Sequence, residues 1–210
     1  MPRPARVSPD RILAAAAAEF AARGFAGARV DRIARRARVN KAMLYYHFQS
    51  KQTLYRTLLR RMFTLAAARL RAIADDRGSH AEKVDRVIAS MAAFIDEHAF
   101  FPAIMLREVA EGGVHLDRET LTALAALPSI VGGIVQQGVK AHAFRPVPPM
   151  FAYFSMLAPV IFYLAGARIR KEIAHLPVTA LRESSTDDFI RHMQHATRRS
   201  LARARTARTS

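Results

Sequence analysis

Apolar residues recur every three or four positions along most of this chain, a spacing that predicts an all-α fold. The first predicted helix shows the pattern on one face, at Ile12, Leu13, Ala16 and Phe20. Ser8 is a good N-cap for it, and Pro9 suits the first helical position, where its missing N–H costs nothing. Gly24 supplies the left-handed residue that closes a helix. We interpret this helix as scaffold.

Two shorter helices follow, joined by a tight turn. The second helix runs from about Val30 to Ala37 and carries arginines on its outer side. Asn40 is a good N-cap for a third helix from Lys41 to about His47, whose Leu44 is predicted to point inward. Two helices this short and this tightly connected match the helix-turn-helix unit, which is predicted at about residues 29–48.

The remainder of the chain is predicted to be a larger helical body. Ser50 can cap a long helix through about Ala74, which would join two domains at residues 6–66 and 67–204. Leu116–His142 contains Pro128 and two glycines, so a kink or two helices are expected. A final helix begins near Thr186, after a loop at 176–185. Residues 1–5 and 205–210 are predicted to be basic, flexible tails.

One segment requires a membrane check. Met150–Ala167 has no charged residue, and its 18 residues are close to the lower limit for a bilayer-spanning helix. Its interior Pro159 and Tyr163 are poor choices for a span of minimal length. A helix buried on several sides gives the same pattern, so we expect no membrane span. A membrane-tethered protein remains an alternative.

The surface of the third predicted helix carries groups that bind DNA. Lys41 can donate to guanine, Asn40 can pair with adenine if it is not occupied in capping, and the Ala42 methyl can meet a thymine methyl. Side chains that can hydrogen-bond phosphates follow: Tyr45, Tyr46 and His47. A basic amphipathic cap would explain the charge but not the pair of exposed tyrosines.

The charge of the chain is concentrated near this unit. The formal net charge is +16 and the pI is about 11.4. Residues 1–51 contain eleven Lys or Arg against three acidic residues, which gives +8, half of the total. This asymmetry favours DNA as the partner. A protein that coats DNA without sequence preference, driven by charge alone, is an alternative.

The run from Val39 through Leu44-Tyr45-Tyr46-His47-Phe48 to Ser50-Lys51 resembles the DNA-binding signature of the TetR family of transcriptional regulators. The resemblance is close over about Val7–Leu59 and extends to the rest only as helical architecture. It implies an N-terminal three-helix DNA-binding domain joined by a long helix to a ligand-binding and dimerisation domain. It further implies a ligand-responsive repressor that acts as a homodimer on a pseudo-palindromic operator.

Residue roles follow from the same resemblance by position. Lys41, Ala42 and Tyr45 are expected to face the groove, and Tyr46, His47 and Lys51 to contact phosphates. Two positions depart from the family pattern. Arg29 stands where a Thr usually caps the second helix, and Arg38 stands where the turn usually has Gly. Both add positive charge, and we include both among the candidate DNA contacts.

The sequence offers little for catalysis. It has no cysteine, hence no disulfide, thiolate zinc site or thiol nucleophile, which suits a cytoplasmic protein. No strand-framed serine motif and no paired carboxylates are evident, so an enzyme is not expected. His192 and His195 lie three residues apart on one predicted helix, and His98, Glu108 and His115 could converge. No metalloenzyme signature appears, so we expect no metal and no cofactor.

The second domain carries candidates for two further functions. An apolar pocket for a small-molecule effector is expected between helices, since bundles bind ligands there. Its candidate residues are Phe101, Met105, Arg107, His142, Phe151, Phe154 and Tyr163. By the family's use of its last two long helices, a dimer interface is expected at Phe154, Ala158, Phe162, Phe189, Ile190, Met193 and Thr197.

Overall fold

The structure, a computed structural model, describes residues 8–175 and 185–203 of the 210-residue chain. The described residues form ten helices and contain no strand. These are α1 (Pro9–Gly27), α2 (Val30–Arg36), α3 (Lys41–Phe48), α4 (Lys51–Ala74), α5 (His80–Glu97), α6 (Phe101–Ala110), α7 (Arg118–Lys140), α8 (Pro149–Ala165), α9 (Ala167–Ala174) and α10 (Thr186–Leu201). The predicted all-α class is confirmed. The predicted tails at residues 1–5 and 205–210 and most of the predicted loop at 176–185 lie outside the described residues.

The predicted start of α1 is confirmed. Ser8 adopts extended backbone angles, and its side chain accepts the backbone N–H of Asp10. The helical segment is interrupted at Gly24, whose φ of 68° and ψ of 178° lie in a region essentially restricted to glycine. Helical structure continues for a short stretch beyond this break, to Gly27. Gly24 therefore has the positive φ expected of it but forms a sharp break inside the element.

The chain divides into two compact units, and the division differs from the predicted domains. We name them the recognition unit, which comprises residues up to Thr64 together with Ala99–Ala123, and the body unit, which comprises Leu65–His98 and residues from Leu124 onward. The sequence pattern predicted one boundary near residue 66. Instead, α6 and the beginning of α7 group with the N-terminal helices. Helix α6 lies against α1, and Arg60 of α4 pairs with Glu119 of α7.

The core of the recognition unit comes from helices that are distant in sequence. The fully buried side chains include Phe20 of α1, Ile33 of α2, Leu44 of α3 and Leu54 of α4. Phe63 of α4 meets the ring of Phe101 in an edge-to-face contact at 6.0 Å between centroids. Each large apolar side chain removed from water stabilises the fold by about 1.5–3 kcal/mol. This core fixes the orientation of α2 and α3.

In the body unit, α5 packs against both α8 and α10. Capping boxes begin two of these helices: Ser79 with Glu82 on α5, and Ser185 with Asp188 on α10. Helix α7 continues through Pro128, so a single helix replaces the alternative of two. Gly132 and Gly138 allow close packing, since a Cβ at Gly138 would lie 2.2 Å from the ring of Phe144.

Three stretches pass a length-and-composition test for a membrane span. Helix α7 passes it alone, and the pairs α5–α6 and α8–α9 pass it only if each pair counts as one broken span. Helix α8, which contains the uncharged segment, has 17 residues, fewer than the roughly 20 that a bilayer requires. It buries Ala152, Met156 and Val160, and α7 buries Val131, Ile134 and Val135, within the protein.

Candidate nucleic-acid interface

The turn between α2 and α3 is built by local backbone chemistry. Arg29 precedes α2 in an extended conformation and offers no side-chain cap, as expected where a Thr is replaced. Ala37 ends α2, and Arg38 then adopts a φ of 53°. A left-handed conformation costs a non-glycine residue on the order of 1 kcal/mol. The long, exposed side chain of Arg38 is thereby placed at the turn.

Asn40 has the capping role. Its Oδ1 accepts the backbone N–H of Met43 at 2.7 Å and begins α3. A bidentate pair with adenine would need this oxygen as well as the amide nitrogen. The sequence left adenine pairing open on the condition that Asn40 was free, and in this structure it is not. Asn40 therefore positions α3 instead of reading a base.

One side of α3 is exposed while the other is buried. Leu44 and Phe48 lie in the core. The exposed side carries Lys41 and Ala42, with Tyr45 40% and Tyr46 79% exposed. Large aromatic side chains this exposed on a short, well-anchored helix present hydroxyl groups and ring faces to a partner. The face is about one helix wide and two turns long, which suits the major groove.

Lys41 is held by a neighbouring helix in the free protein. Its ammonium donates to Asp31 of α2, with 2.8 Å between Nζ and Oδ1. The hydrogen bond from Lys41, followed by its positive charge, lowers the pKa of Asp31 below its usual range, and the same pair raises the pKa of Lys41. Exposed ion pairs of this kind contribute little to stability. A competing anionic partner can therefore replace Asp31 at small cost.

His47 is partly covered. Its ring lies edge-on to Tyr46 at 5.3 Å and tilted against Phe48 at 6.2 Å between centroids. The side chain is half-buried, so it bridges the exposed face and the core. Its position is compatible with a phosphate contact at the end of α3.

Lys51 has a different task from the one that the resemblance implies. Its ammonium donates to the backbone oxygens of Phe25 at 2.9 Å and Ala28 at 3.2 Å. It also lies 4.5 Å from the centroid of the Phe25 ring. Two of its three donors are used inside the protein, and the side chain is half-buried. Lys51 therefore secures the segment after Gly24 to the start of α4.

The other basic residues of this region also separate into internal and exposed groups. Arg11 donates to the backbone oxygen of Ala37 at 2.9 Å, and Arg32 donates to the carboxylate of Glu19 at 2.6 Å. Arg35 and Arg36 are exposed and, among the residues that the structure describes, have no carboxylate within ion-pair distance. Sequence reasoning placed them outside without adding them to the candidate site. Two exposed arginines in the last turn of α2, on a helix with Asp31 as its one acidic residue, were the signal that the sequence offered.

Glu19 organises the start of α2 from below. Its carboxylate accepts Arg32 and also the backbone N–H of Arg29 at 3.2 Å. Burial raises the pKa of Glu19, but the hydrogen bonds from Arg32 and the Arg29 amide, with the charge of Arg32, bring the net pKa below its usual value of 4.5. Glu19 of α1 thus satisfies the backbone N–H of the residue that precedes α2 and, through Arg32, holds the first turn of α2.

Arg107, predicted to orient an effector, is bound to α1 instead. Its guanidinium donates to the backbone oxygens of Phe20 at 3.0 Å and Ala21 at 2.6 Å. The adjacent Glu108 is 2% exposed and accepts the hydroxyl of Tyr55 on α4 at 2.7 Å. Burial, followed by this hydrogen bond, raises the pKa of the Tyr55 phenol. The end of α6 therefore grips α1 and α4 within the recognition unit.

The remaining candidate pocket residues are divided between the two units. Phe101 and Met105 belong to the recognition unit, where Phe101 is core. In the body unit, His142 is exposed at a φ of 57°, and Tyr163 is stacked on Phe189 at 3.8 Å between centroids. Phe151 and Phe154 are exposed on α8. The seven residues do not line a single cavity of either unit.

The candidate interface residues separate by burial. Phe154, Ala158 and Phe162 are exposed on α8, and Phe189 and Ile190 are half-buried. Met193 and Thr197 are already buried within a single chain, on the face where α10 packs against α5 and α8. Their apolar stripe is core, which corrects their assignment to an interface. Phe151 joins the exposed stripe of α8, at helical spacing from Phe154, Ala158 and Phe162.

Comparisons with known proteins agree with this geometry. Residues 12–58 match the family model described as bacterial regulatory proteins, tetR family. The transcriptional repressor NicS of Pseudomonas putida is 27% identical over 164 residues, which cover 76% of each chain. The transcriptional repressor SCO4008 of Streptomyces coelicolor is 49% identical over 57 residues, 27% of this chain and 30% of that one.

Solved structures share the whole fold. The regulator FadR from Bacillus subtilis, in complex with stearoyl-CoA, superimposes with a TM-score of 0.74 at 14% identity, covering 90% of this chain and 97% of FadR. Residues 12–58, which match the family model, contain α2, α3 and therefore the exposed face of α3. Residues 12–58 thus match the DNA-binding region of the tetR family of bacterial regulatory proteins, and over about three quarters of its length the chain is similar to transcriptional regulators.

Proposed function

We propose that this protein is a ligand-responsive repressor that acts as a homodimer on a pseudo-palindromic operator. The exposed face of α3 carries the proposal: Asn40 caps the helix, Leu44 and Phe48 anchor it, and its outer side chains are left to a partner. In a two-fold dimer, two such helices would read half-sites about one helical turn, roughly 34–36 Å, apart.

The contacts with DNA divide into reading and positioning. Lys41 and Ala42 are proposed to meet base edges, with Tyr45 between them and the backbone. Tyr46 and His47 are proposed to hold phosphates. Arg29 is exposed just before α2, and Arg35, Arg36 and Arg38 are exposed at the end of α2 and in the α2–α3 turn; all four are proposed to add phosphate contacts. Arg11, Arg32 and Lys51 act from inside the protein.

Dimerisation is proposed through the aromatic stripe of α8. Phe151, Phe154 and Phe162 are 69%, 55% and 74% exposed, and small Ala158 lies among them on the same face. Solvent-exposed aromatic rings at helical spacing mark an association surface. A two-fold interface is self-complementary, so the stripe would pack against its own copy.

The effector is proposed to bind in the body unit. Helices α5, α8 and α10 pack there around apolar side chains, and such bundles accept ligands between helices. Tyr153 offers a half-buried phenol hydroxyl in this setting, and burial raises its pKa to about 12. The complex of FadR with stearoyl-CoA supports an effector with a long apolar acyl chain as the first class to test. The effector would act by its different affinities for DNA-competent and DNA-incompetent states.

The decisive experiment is selection of bound sites from random DNA by the full-length protein. Selection should converge on a pseudo-palindrome, and a footprint over it should persist at physiological salt with excess competitor DNA. Random recovered sequences, together with a steep salt dependence and no footprint, would contradict the proposal and support a non-specific coating protein.

A further inference from the structure

Three metal-ligating side chains converge where α6 ends. Glu108 lies in the last turn of α6 and Glu111 directly after it, while His115 follows two glycines with φ of 74° and 76°. These left-handed glycines reverse the chain, so that the backbone N–H of His115 donates to Oε1 of Glu108 at 3.1 Å. The reversal places the imidazole beside both carboxylates.

The distances match those between neighbouring ligands of one ion. Nδ1 of His115 lies 3.2 Å from Oε2 of Glu108 and 3.4 Å from Oε2 of Glu111. One ligand atom from each residue lies within 4.8 Å of the other two. Nitrogen and oxygen ligands bind zinc at about 2.0–2.2 Å, which puts neighbouring ligands of a tetrahedral or octahedral ion about 3.0–3.5 Å apart.

The charges of the cluster point independently to a cation. Glu108 is only 2% exposed, and burying a carboxylate costs folding free energy unless its charge is paired. Among the residues that the structure describes, its sole ion-pair partner is His115, which is also shared with Glu111. Arg107, next to Glu108, is turned to α1. The two carboxylates carry two formal negative charges, which one divalent ion would balance.

We propose that Glu108, Glu111 and His115 form a binding site for a first-row divalent transition-metal ion, such as Mn²⁺, Co²⁺ or Zn²⁺. One imidazole and two carboxylates suit these ions, and an imidazole ligand disfavours Ca²⁺ and Mg²⁺. Three protein ligands leave at least one position to water. Tyr55 would orient the buried ligand by donating to Oε2 of Glu108, as outer hydrogen bonds commonly do.

The sequence expectation of no metal is replaced by this proposal. The metal set that the sequence suggested and rejected contained Glu108 and His115, with His98 as the third ligand. His98 belongs to the body unit, whereas Glu111 belongs with the other two in the recognition unit. The glycine pair between Glu111 and His115, which turns the chain back, was the signal that sequence reasoning did not use.

Metal binding would stabilise the recognition unit. The His115 ring packs on Phe25 at 4.2 Å between centroids, and the backbone oxygen of His115 accepts Arg56 of α4 at 2.8 Å. An ion that fixed His115 to Glu108 would therefore tie the end of α6 to α1 and α4. This inference goes beyond the proposed function, because it requires neither DNA nor an effector.

The test is metal titration of tag-free, chelator-treated full-length protein. Co²⁺ binding is followed by visible absorption, and Zn²⁺ and Mn²⁺ binding by calorimetry. We expect one ion per chain and a rise in Tm on binding. Glu111→Gln and His115→Asn should each weaken binding at least tenfold and remove the rise in Tm. Tyr55→Phe should weaken it about tenfold while retaining one ion per chain.

Two matched controls identify the ligands. Glu172→Gln and His142→Asn alter exposed residues of the body unit and should leave metal binding unchanged. Binding that survives both Glu111→Gln and His115→Asn would overturn the proposal, since other side chains would then hold the ion. Absence of binding at millimolar metal would also overturn it and leave the cluster as a hydrogen-bonded contact between His115 and the two carboxylates. Operator binding is not a readout, so failure here leaves the proposed function untouched.

Discussion

Basic side chains of the recognition unit have two uses that local sequence does not distinguish. Arg11, Arg32 and Lys51 donate to groups inside the protein, while Arg35 and Arg38 remain exposed. Local rules did predict the caps at Ser8 and Asn40 and the special backbone of Gly24, because each depends on neighbours within a few residues. The partners of long side chains depend on tertiary packing and were not predictable.

At the residue scale, Lys41→Ala tests base reading. Affinity for the selected operator should fall about tenfold, with reduced discrimination at one base pair in each half-site, because a base-edge donor is lost. Binding curves on the operator and on single-base variants measure this. Lys171→Ala, an exposed lysine of α9, is the control. An equal loss on every sequence would make Lys41 a phosphate contact.

Glu19→Gln tests the support beneath α2. At neutral pH the variant should lose about 1–2 kcal/mol of unfolding free energy, since a charge-assisted bond to Arg32 is weakened. The folded-state pKa of Glu19 lies below 4.5, so its contribution is present above pH about 4.5 and disappears as pH falls through the folded value.

Urea unfolding of both proteins from pH 7 to pH 3 measures the effect. The difference between them should shrink on acidification, and Glu172→Gln, an exposed glutamate, should show no such pattern. A difference that is constant down to pH 3 would exclude an ionised Glu19 as its source.

At the element scale, α1 is held at its end by side chains from other elements. The break at Gly24 leaves helical carbonyls to be satisfied, and Arg107 of α6 and Lys51 of α4 donate to this region. Helix periodicity predicted α1, and it predicted the end of α4 at Ala74. It did not predict that α6 lies against α1, because Arg107 and Phe20 are 87 residues apart. The predicted start of α10 near Thr186 was correct. Its buried residues Met193 and Thr197 were nevertheless assigned to a dimer interface, because periodicity identifies an apolar face but not the element that packs against it.

Arg107→Met tests the contact between α6 and α1. Methionine retains much of the apolar stem but provides no donor for the oxygens of Phe20 and Ala21, so unfolding free energy should fall by about 1–3 kcal/mol. Chemical denaturation followed by circular dichroism measures it. Arg118→Met, at an exposed arginine, should be neutral, and an equal effect of both variants would refute a specific role.

At the scale of the whole molecule, function depends on surfaces that one chain leaves open. The exposed rings of α8 are the strongest such surface in the body unit, and the α3 face is that of the recognition unit. The sequence identified both helices, and the local α3 site followed from its caps and its signature. Which side of α8 is exposed could not be predicted, because the helix is apolar on all sides.

Phe162→Asp tests the proposed dimer. An aspartate in place of a ring that is 74% exposed should leave the monomer folded but place a buried charge at each side of the interface, giving monomers in sedimentation equilibrium. Val109→Asp, at another exposed apolar residue, should remain dimeric. An intact Phe162→Asp dimer would locate the interface elsewhere. Met193→Asp is unsuitable, since it would disrupt the core of the chain itself.

The interrupted recognition unit has a consequence for engineering. Hybrid regulators are commonly conceived as an N-terminal reader joined to an exchangeable sensor, with one crossover point after the reader. Here a crossover near residue 64 would separate Phe20 and Tyr55 from Arg107 and Glu108. A functional hybrid should have three crossovers, near residues 64, 99 and 123. Residues 99–123 then come from the same parent as α1 and α4, which they contact.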